Sequence, residues 1–309
     1  VKLILKSFST NLFIIVIIIL FFIKKFAGLN FGEIFNPNLK KIESKINKFV
    51  EKDFNINLTY LYFKGNSADI KRNIEVFKEI IDYLDDKYED ESNIYKRGKV
   101  SIKLRQMGNT DEECMKNFSD VSSYAFSKNI FIWISAFHYK EIKTEYLTYL
   151  NLKERGFSNI GITIACYHYE VDNYVNLILN KKGNIRLVKG YYNDGQIKDW
   201  SRVTKNYLNN AKKIIRDSNY HQLATHDFKN VLNPLNNIQN LNQLDNIEIG
   251  FFVNSMKHLT TEMKKYKLDI KNKCVFLVFG KKFKYLKSNI YSLSLQRLLQ
   301  RLLRVKNIV

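Results

Sequence analysis

Two short segments hold the residue types that bind anions and carry protons. One is Arg186-Leu187-Val188-Lys189-Gly190-Tyr191-Tyr192, and the other is Ala224-Thr225-His226-Asp227. A further cation, Lys103, follows the run Val100-Ser101-Ile102. Arginine and lysine supply charge-assisted hydrogen bonds to phosphate and carboxylate, and Thr, His and Tyr add directional hydrogen-bonding groups. Such a set suits a phosphate-bearing cofactor beside a carboxylate substrate. Each residue taken alone has a plainer reading. Lys103 and Lys189 read as snorkelling lysines, His226 as a structural histidine, and Tyr191 and Tyr192 as packing in a chain with 19 tyrosines.

Other chemistries find no support in the sequence. The three cysteines, Cys114, Cys166 and Cys274, are far apart and form neither a CxxC pair nor a Cys/His cluster. The five histidines contain no HExxH, and His221 and His226 miss the one-turn spacing of paired ligands, so no structural metal is expected. There is no P-loop, no GxGxxG fingerprint and no internal repeat at a fixed period.

The elements that must position these residues alternate along the chain. Short β-rich apolar runs begin near Asn55, Val100, Ile130, Ile160, Ile185, Gln222, Ile247 and Cys274, with segments of helical period between them. Ile70, Ile74, Phe77, Ile81 and Leu84 share one helical face, as do Cys114, Phe118, Val121 and Ala125. Thr110 with Glu113 reads as a capping box for the second of these helices. Leu295, Leu298, Leu299 and Leu302 suggest a last helix, and the Asn-rich stretch 230–246 reads as a long loop. Eight β/α units predict an α/β fold of the (β/α)8 TIM-barrel type.

In such a barrel the chemistry sits at the C-terminal ends of the strands. Lys103 then ends strand two, Arg186 and Lys189 lie on strand five, and Thr225-His226-Asp227 ends strand six. Barrel interiors are normally filled by Val, Ile and Leu. Arg and Lys on strand five are therefore costly unless they meet an anionic ligand or a carboxylate.

The chain has 309 residues, 45% of them hydrophobic, enough for a single large domain with a sizeable core. Its formal charge of +20 raises nucleic acid as a partner. The lysines are scattered instead of striped, and no zinc-finger or RNP-type motif is present, so no nucleic-acid role is expected. Residues 12–23 are uninterruptedly apolar and bracketed by Lys2 and Lys6 on one side and Lys24 and Lys25 on the other. As a helix the run spans about 18 Å, and extension back to Leu3 brings it toward the ~30 Å hydrocarbon core. We read residues 1–30 as an uncleaved N-terminal membrane anchor and 31–309 as the barrel, with a removed signal segment or a buried helix as the other readings.

The strand-five segment resembles the RLVKGAY motif of the FAD-dependent proline dehydrogenase family, with Tyr191 in place of Ala. Ala224-Thr225-His226-Asp227 is similar to that family's strand-six motif. Val100-Ser101-Ile102-Lys103-Leu104 with Gly108 is similar to its strand two, residues 159–164 to its strand four, and Val278-Phe279-Gly280 to its strand eight. The resemblance implies oxidation of proline, or a related cyclic imino acid, to pyrroline-5-carboxylate with hydride transfer to FAD, and a membrane quinone as electron acceptor. It implies FAD contacts at Arg186, Val188, Lys189, Gly190, Tyr191, Thr225 and His226. Lys103 and Tyr192 would stand on the substrate side, and Arg186 would tune the flavin.

The chain departs from the family at substrate-gripping positions. Ser135 stands where strand three usually has Asp, and Ala165 where strand four has Gln. Ser294 and Leu295 stand where the last helix carries an Arg pair, with Arg297 and Arg301 out of register. Losing a bidentate carboxylate clamp weakens substrate binding and orientation more than it weakens the cofactor-borne chemistry. A catalytically inactive barrel with a structural or interaction role is the alternative. A Schiff-base enzyme using Lys103 or Lys189 is a third reading.

Overall fold

The computed structural model describes residues 39–62, 66–136, 138–190, 195–225, 227, 231–232, 235–236, 245–253, 256–265 and 270–280. All of them lie in the unit Asn36–Lys281. The expected anchor at 1–30, the helix around Leu295 and most of 230–246 lie outside the described residues, as do Tyr191, Tyr192, His226, Ser294 and Leu295. Among the described residues no helix is long and apolar enough to cross a membrane.

Eight parallel strands close into a barrel in sequence order. They are β1 Asn55–Leu61, β2 Lys99–Ile102, β3 Phe131–Ile134, β4 Ile160–Ala165, β5 Asn184–Val188, β6 His221–Ala224, β7 Ile247–Phe252 and β8 Lys273–Gly280. Helix α1 (Glu43–Val50) precedes β1. Crossover helices α2 (Ser67–Lys87), α3 (Asp111–Ser127), α4 (Ile142–Glu154), α5 (Val171–Asn180) and α6 (Trp200–Ile214) follow β1 to β5, and α7 (Met256–Lys265) follows β7. The fold is the (β/α)8 barrel that the alternating pattern predicts.

Helix and strand periods explain the layers. On α2, Ile70, Phe77, Ile81 and Leu84 are buried and Ile74 partly so, and on α3 Cys114, Phe118, Val121 and Ala125 are all buried. They pack on outward-facing strand residues such as Ile56, Leu58, Val100, Ile102, Ile132 and Ile162. Asn66 caps α2 by accepting from the Asp69 amide at 2.8 Å. Thr110 caps α3 by accepting from the Glu113 amide at 3.1 Å. The expected capping box is corrected in its second half: Glu113 Oε2 accepts from the Asn109 amide at 2.8 Å. Helix-end donors need any well-placed acceptor, and the preceding residue's amide is as needy as the cap's own.

His221 opens β6 from inside the core. Its Nδ1 accepts the Ile185 amide at 3.1 Å, which leaves the proton on Nε2, 2.9 Å from Asp217 Oδ1. Burial holds the imidazole below its ordinary range, and the Asp217 carboxylate pulls it partly back. The folded state therefore resists the second proton more than the unfolded chain, whose histidine titrates near about 6.5. His221 contributes stability above that pH, and the contribution is lost as pH falls through the lower folded value. Asp217, itself held low, loses its contribution only in stronger acid. Thermal unfolding followed between pH 7 and pH 5 should show a falling midpoint, with a smaller fall in His221→Gln. Equal slopes for both proteins would contradict this role.

Candidate functional site

The inward-facing residues of the barrel are largely polar. Arg186, Gln222 and Glu248 are register neighbours across β5, β6 and β7. The Arg186 side chain is only 4% exposed and points into the interior. Its Nε donates to Gln222 Oε1, Nη1 to Ser101 Oγ at 2.6 Å, and Nη2 to Asn57 Oδ1 at 2.7 Å. The Trp133 and Phe276 rings flank the guanidinium at 4.6 and 4.9 Å. Two glycines make room for those rings, because a side-chain carbon at Gly161 would land on Trp133 and one at Gly250 on Phe276. Burial lowers the Arg186 pKa to about 10, and Cys274, Tyr220 and Glu248 oppose the shift.

The requirement for an anion beside Arg186 is thus corrected. Amide and hydroxyl oxygens together with two aromatic faces offset its desolvation, and the carboxylate of Glu248 stands one side chain further away, behind Gln222.

Lys189 directly follows β5. Its Nζ lies 2.6 Å from Asp227 Oδ2 and donates to Thr204 Oγ1 at 2.7 Å, joining the rim of β5 to α6 and to the segment after β6. Thr225 Oγ1 accepts the Asp227 amide at 3.1 Å. Gly190 has φ +106°, and the ring of Tyr167 fills the space a side chain there would need. Val188 is half-buried, and its carbonyl accepts the Cys166 amide at 2.9 Å. Lys103, just past β2, is buried and donates from Nζ to the Ala136 carbonyl at 2.8 Å. Gln106 holds its backbone by accepting the Lys103 amide at 3.2 Å while donating to the Tyr60 carbonyl at 2.8 Å.

Lys189, Thr225 and Asp227 therefore form one cluster on adjacent strand ends. Lys103 directly follows β2, two residues after Ser101, the partner of Arg186 and a residue of the same strand face. Ser135 follows β3, and its amide donates to the Ile102 carbonyl at 2.8 Å, while Ala165 ends β4 buried. Ser201, Arg202, Lys205 and Asn206 on the first turns of α6 line an open recess of about 510 Å³. Because α6 follows β5, its N-terminal end belongs to the strand-end rim. A second cavity, of about 240 Å³, lies among the loops that lead into the strands, at the opposite mouth.

Asn57, Ser101, Lys99, Gln222 and Glu248 were not singled out by motif. The signal for Asn57, Lys99 and Ser101 is the period-two polar alternation in Asn55-Ile56-Asn57-Leu58-Thr59 and Lys99-Val100-Ser101-Ile102-Lys103, which parallel strands buried on both faces seldom show, and for Glu248 and Gln222 it is a lone polar residue set in an apolar strand run or beside one.

The donor set suits an anionic, ring-bearing group in its chemistry. Lys103, Lys189, Arg202 and Lys205 supply cationic side chains, Thr225 supplies a hydroxyl, and Thr163 Oγ1 and Trp133 Nε1 are buried polar atoms without a hydrogen-bond partner among the described residues.

No protein-family model and no curated protein matches the chain. Solved structures do. A proline utilization A from Bdellovibrio bacteriovorus, inactivated by N-propargylglycine, matches with a TM-score of 0.72 at 12% identity, covering 84% of this chain and 32% of that one. A variant of Bradyrhizobium japonicum proline utilization A matches with a TM-score of 0.63 at 15% identity, over 80% of this chain and 28% of that one. A proline utilization A with proline bound in remote sites matches with a TM-score of 0.60 at 15% identity, over 78% and 28%. The chain spans about a third of the length of these proteins, and the likeness is one of fold.

Proposed function

We propose that this barrel is an FAD-dependent oxidoreductase acting on proline or a related cyclic imino acid. The observation that carries the reading is the joining of its two motif segments at one rim: Lys189 of the strand-five segment bonds to Asp227 of the strand-six segment, inside a fold shared with proline utilization A chains. Bound FAD would supply the hydride acceptor for the carbon next to the imino nitrogen.

The protein's own residues bind and orient. Lys189 and Thr225 offer a cation and a hydroxyl at the ends of β5 and β6, and Arg202 and Lys205 offer charge for phosphate along α6. Arg186, enclosed beneath them, presents a fixed positive charge that favours an anionic ring system above it. Lys103 stands on the substrate side and draws the carboxylate. Val188, Gly190, Tyr191 and His226 complete the cofactor contacts in this reading, and Tyr192 lines the imino-acid pocket. Residues 1–30 would tether the protein to a membrane, and a quinone would take the electrons onward.

A second reading, an inactive barrel with an interaction role, is favoured by one observation: Arg186 and Lys189 already have protein partners. One experiment decides between the two. Purified protein should carry or take up FAD, visible as two absorption bands, and proline should reduce it slowly. Ser135→Asp combined with Ser294→Arg and Leu295→Arg should raise the rate by restoring an acid and a carboxylate clamp. Protein that takes up no flavin in excess would overturn the first reading and favour the second.

A further inference from the structure

The polar groups deepest in the barrel form one hydrogen-bonded chain whose order has a consequence for Arg186. Glu248 on β7 is fully enclosed. Its Oε1 accepts from Lys99 Nζ at 2.9 Å and Asn55 Nδ2 at 2.6 Å, and its Oε2 from Tyr220 OH at 2.6 Å and from Gln222 Nε2. Four donors use all of about four acceptor positions of a carboxylate. Burial alone would push the Glu248 carboxyl up, but the Lys99 charge and the hydrogen bonds from Tyr220, Lys99 and Asn55 hold it below the usual carboxylate range. Glu248 is thus an acceptor only.

Gln222 has one donating and one accepting end. With Nε2 committed to Glu248, its Oε1 must face Arg186 Nε, as it does. The flipped amide would set two N–H donors against the guanidinium and a carbonyl against the carboxylate. Once Nε is pinned, Nη1 and Nη2 reach Ser101 and Asn57, which are themselves joined by the Ser101 hydroxyl donating to Asn57 Oδ1 at 2.9 Å. The Trp133 and Phe276 rings close the two faces.

We propose that Glu248 is the positioning residue for Arg186: by dictating the orientation of the Gln222 amide it fixes the plane of the guanidinium, and with it the cation that the barrel holds beneath its C-terminal rim. The positioning stands on the geometry alone. Its effect on a cofactor rests on the function proposed above.

The test uses the full chain labelled with ¹⁵N-arginine, with the Arg186 Nε–H resonance assigned by its loss in Arg186→Lys. In the parent protein this proton should exchange slowly with water. In Glu248→Gln the amide at 248 presents a donor to Gln222, the Gln222 amide turns, and exchange of the Arg186 proton should quicken by about tenfold, the equivalent of one lost hydrogen bond. Gln222→Met should do the same while leaving the Lys99–Glu248 pair in place. The exchanged pair Gln222→Glu with Glu248→Gln keeps the charge count and returns an acceptor to Arg186, so slow exchange should be restored. Slow exchange in Gln222→Met, or no restoration in the exchanged pair, would overturn the proposal even where Glu248→Gln fails to fold. In a second arm with added FAD, retention should weaken in Glu248→Gln and recover in the exchanged pair. A parent protein that takes up no FAD would reject the proposed function while the resonance measurement still decides the positioning.

Discussion

Glu248→Leu is expected to destabilise the barrel by roughly 3–5 kcal/mol, the range for removing one partner of a buried ion pair. The reason lies in what the carboxylate leaves behind. Lys99 Nζ is fully enclosed and, among the described residues, retains the Tyr95 carbonyl at 2.6 Å and the face of the Tyr220 ring at 5.5 Å. Asn55 Nδ2, Tyr220 OH and Gln222 Nε2 lose their acceptor at the same time. The stranded donors, each carrying a desolvation penalty of up to about 1–3 kcal/mol before relaxation, are part of that cost, and relaxation around the smaller side chain keeps the total within the range. Lys99→Met alone should cost less, because Glu248 keeps three donors. The double variant Lys99→Met with Glu248→Leu should recover part of the loss, since no unpaired charge remains inside. Urea unfolding of the four proteins measures this cycle. A Glu248→Leu midpoint within error of the parent would refute it.

Gly190→Ala should be the most damaging change at the rim. The residue sits at φ +106°, where an L side chain costs about 1–2 kcal/mol. The added carbon would also land on the ring of Tyr167, which is buried, and overpacking of that kind costs about 1–3 kcal/mol. Tyr167→Ala in the same chain should return the steric part and leave the backbone part, so the double variant is expected to be more stable than the sum of the single losses. Thermal unfolding measures both terms. Gly190 directly follows Lys189, so the strained variant should also disturb the Lys189–Asp227 pair. Full additivity of the two substitutions would show that ring and glycine do not meet.

The eight strands were legible because each combines β-rich composition with length and flanking breaks. The structure places all eight within about a residue of where the pattern begins them. The helical faces of α2 and α3 followed from the 3.6-residue period, and every named face residue is buried except Ile74, which is partly so. The position of Lys103, Lys189 and Thr225 at strand ends followed from the rule that βα loops gather at one face. Local sequence carries these features because each depends on residues close together in the chain.

The sequence by itself therefore determined the barrel, its order of strands and the strand-end location of its motif residues. Only the tertiary structure decided what Arg186 touches. Its partners Asn57, Ser101, Trp133, Gln222 and Phe276 come from five other strands, up to 129 residues away in the chain. The pairing of Lys99 with Glu248 spans 149 residues. Period-two alternation reveals that one strand face is polar, but a polar face inside a barrel and one turned to solvent look the same in sequence. Closure of the sheet settles the matter, because it removes water from that face and leaves each donor and acceptor to be satisfied across the lumen.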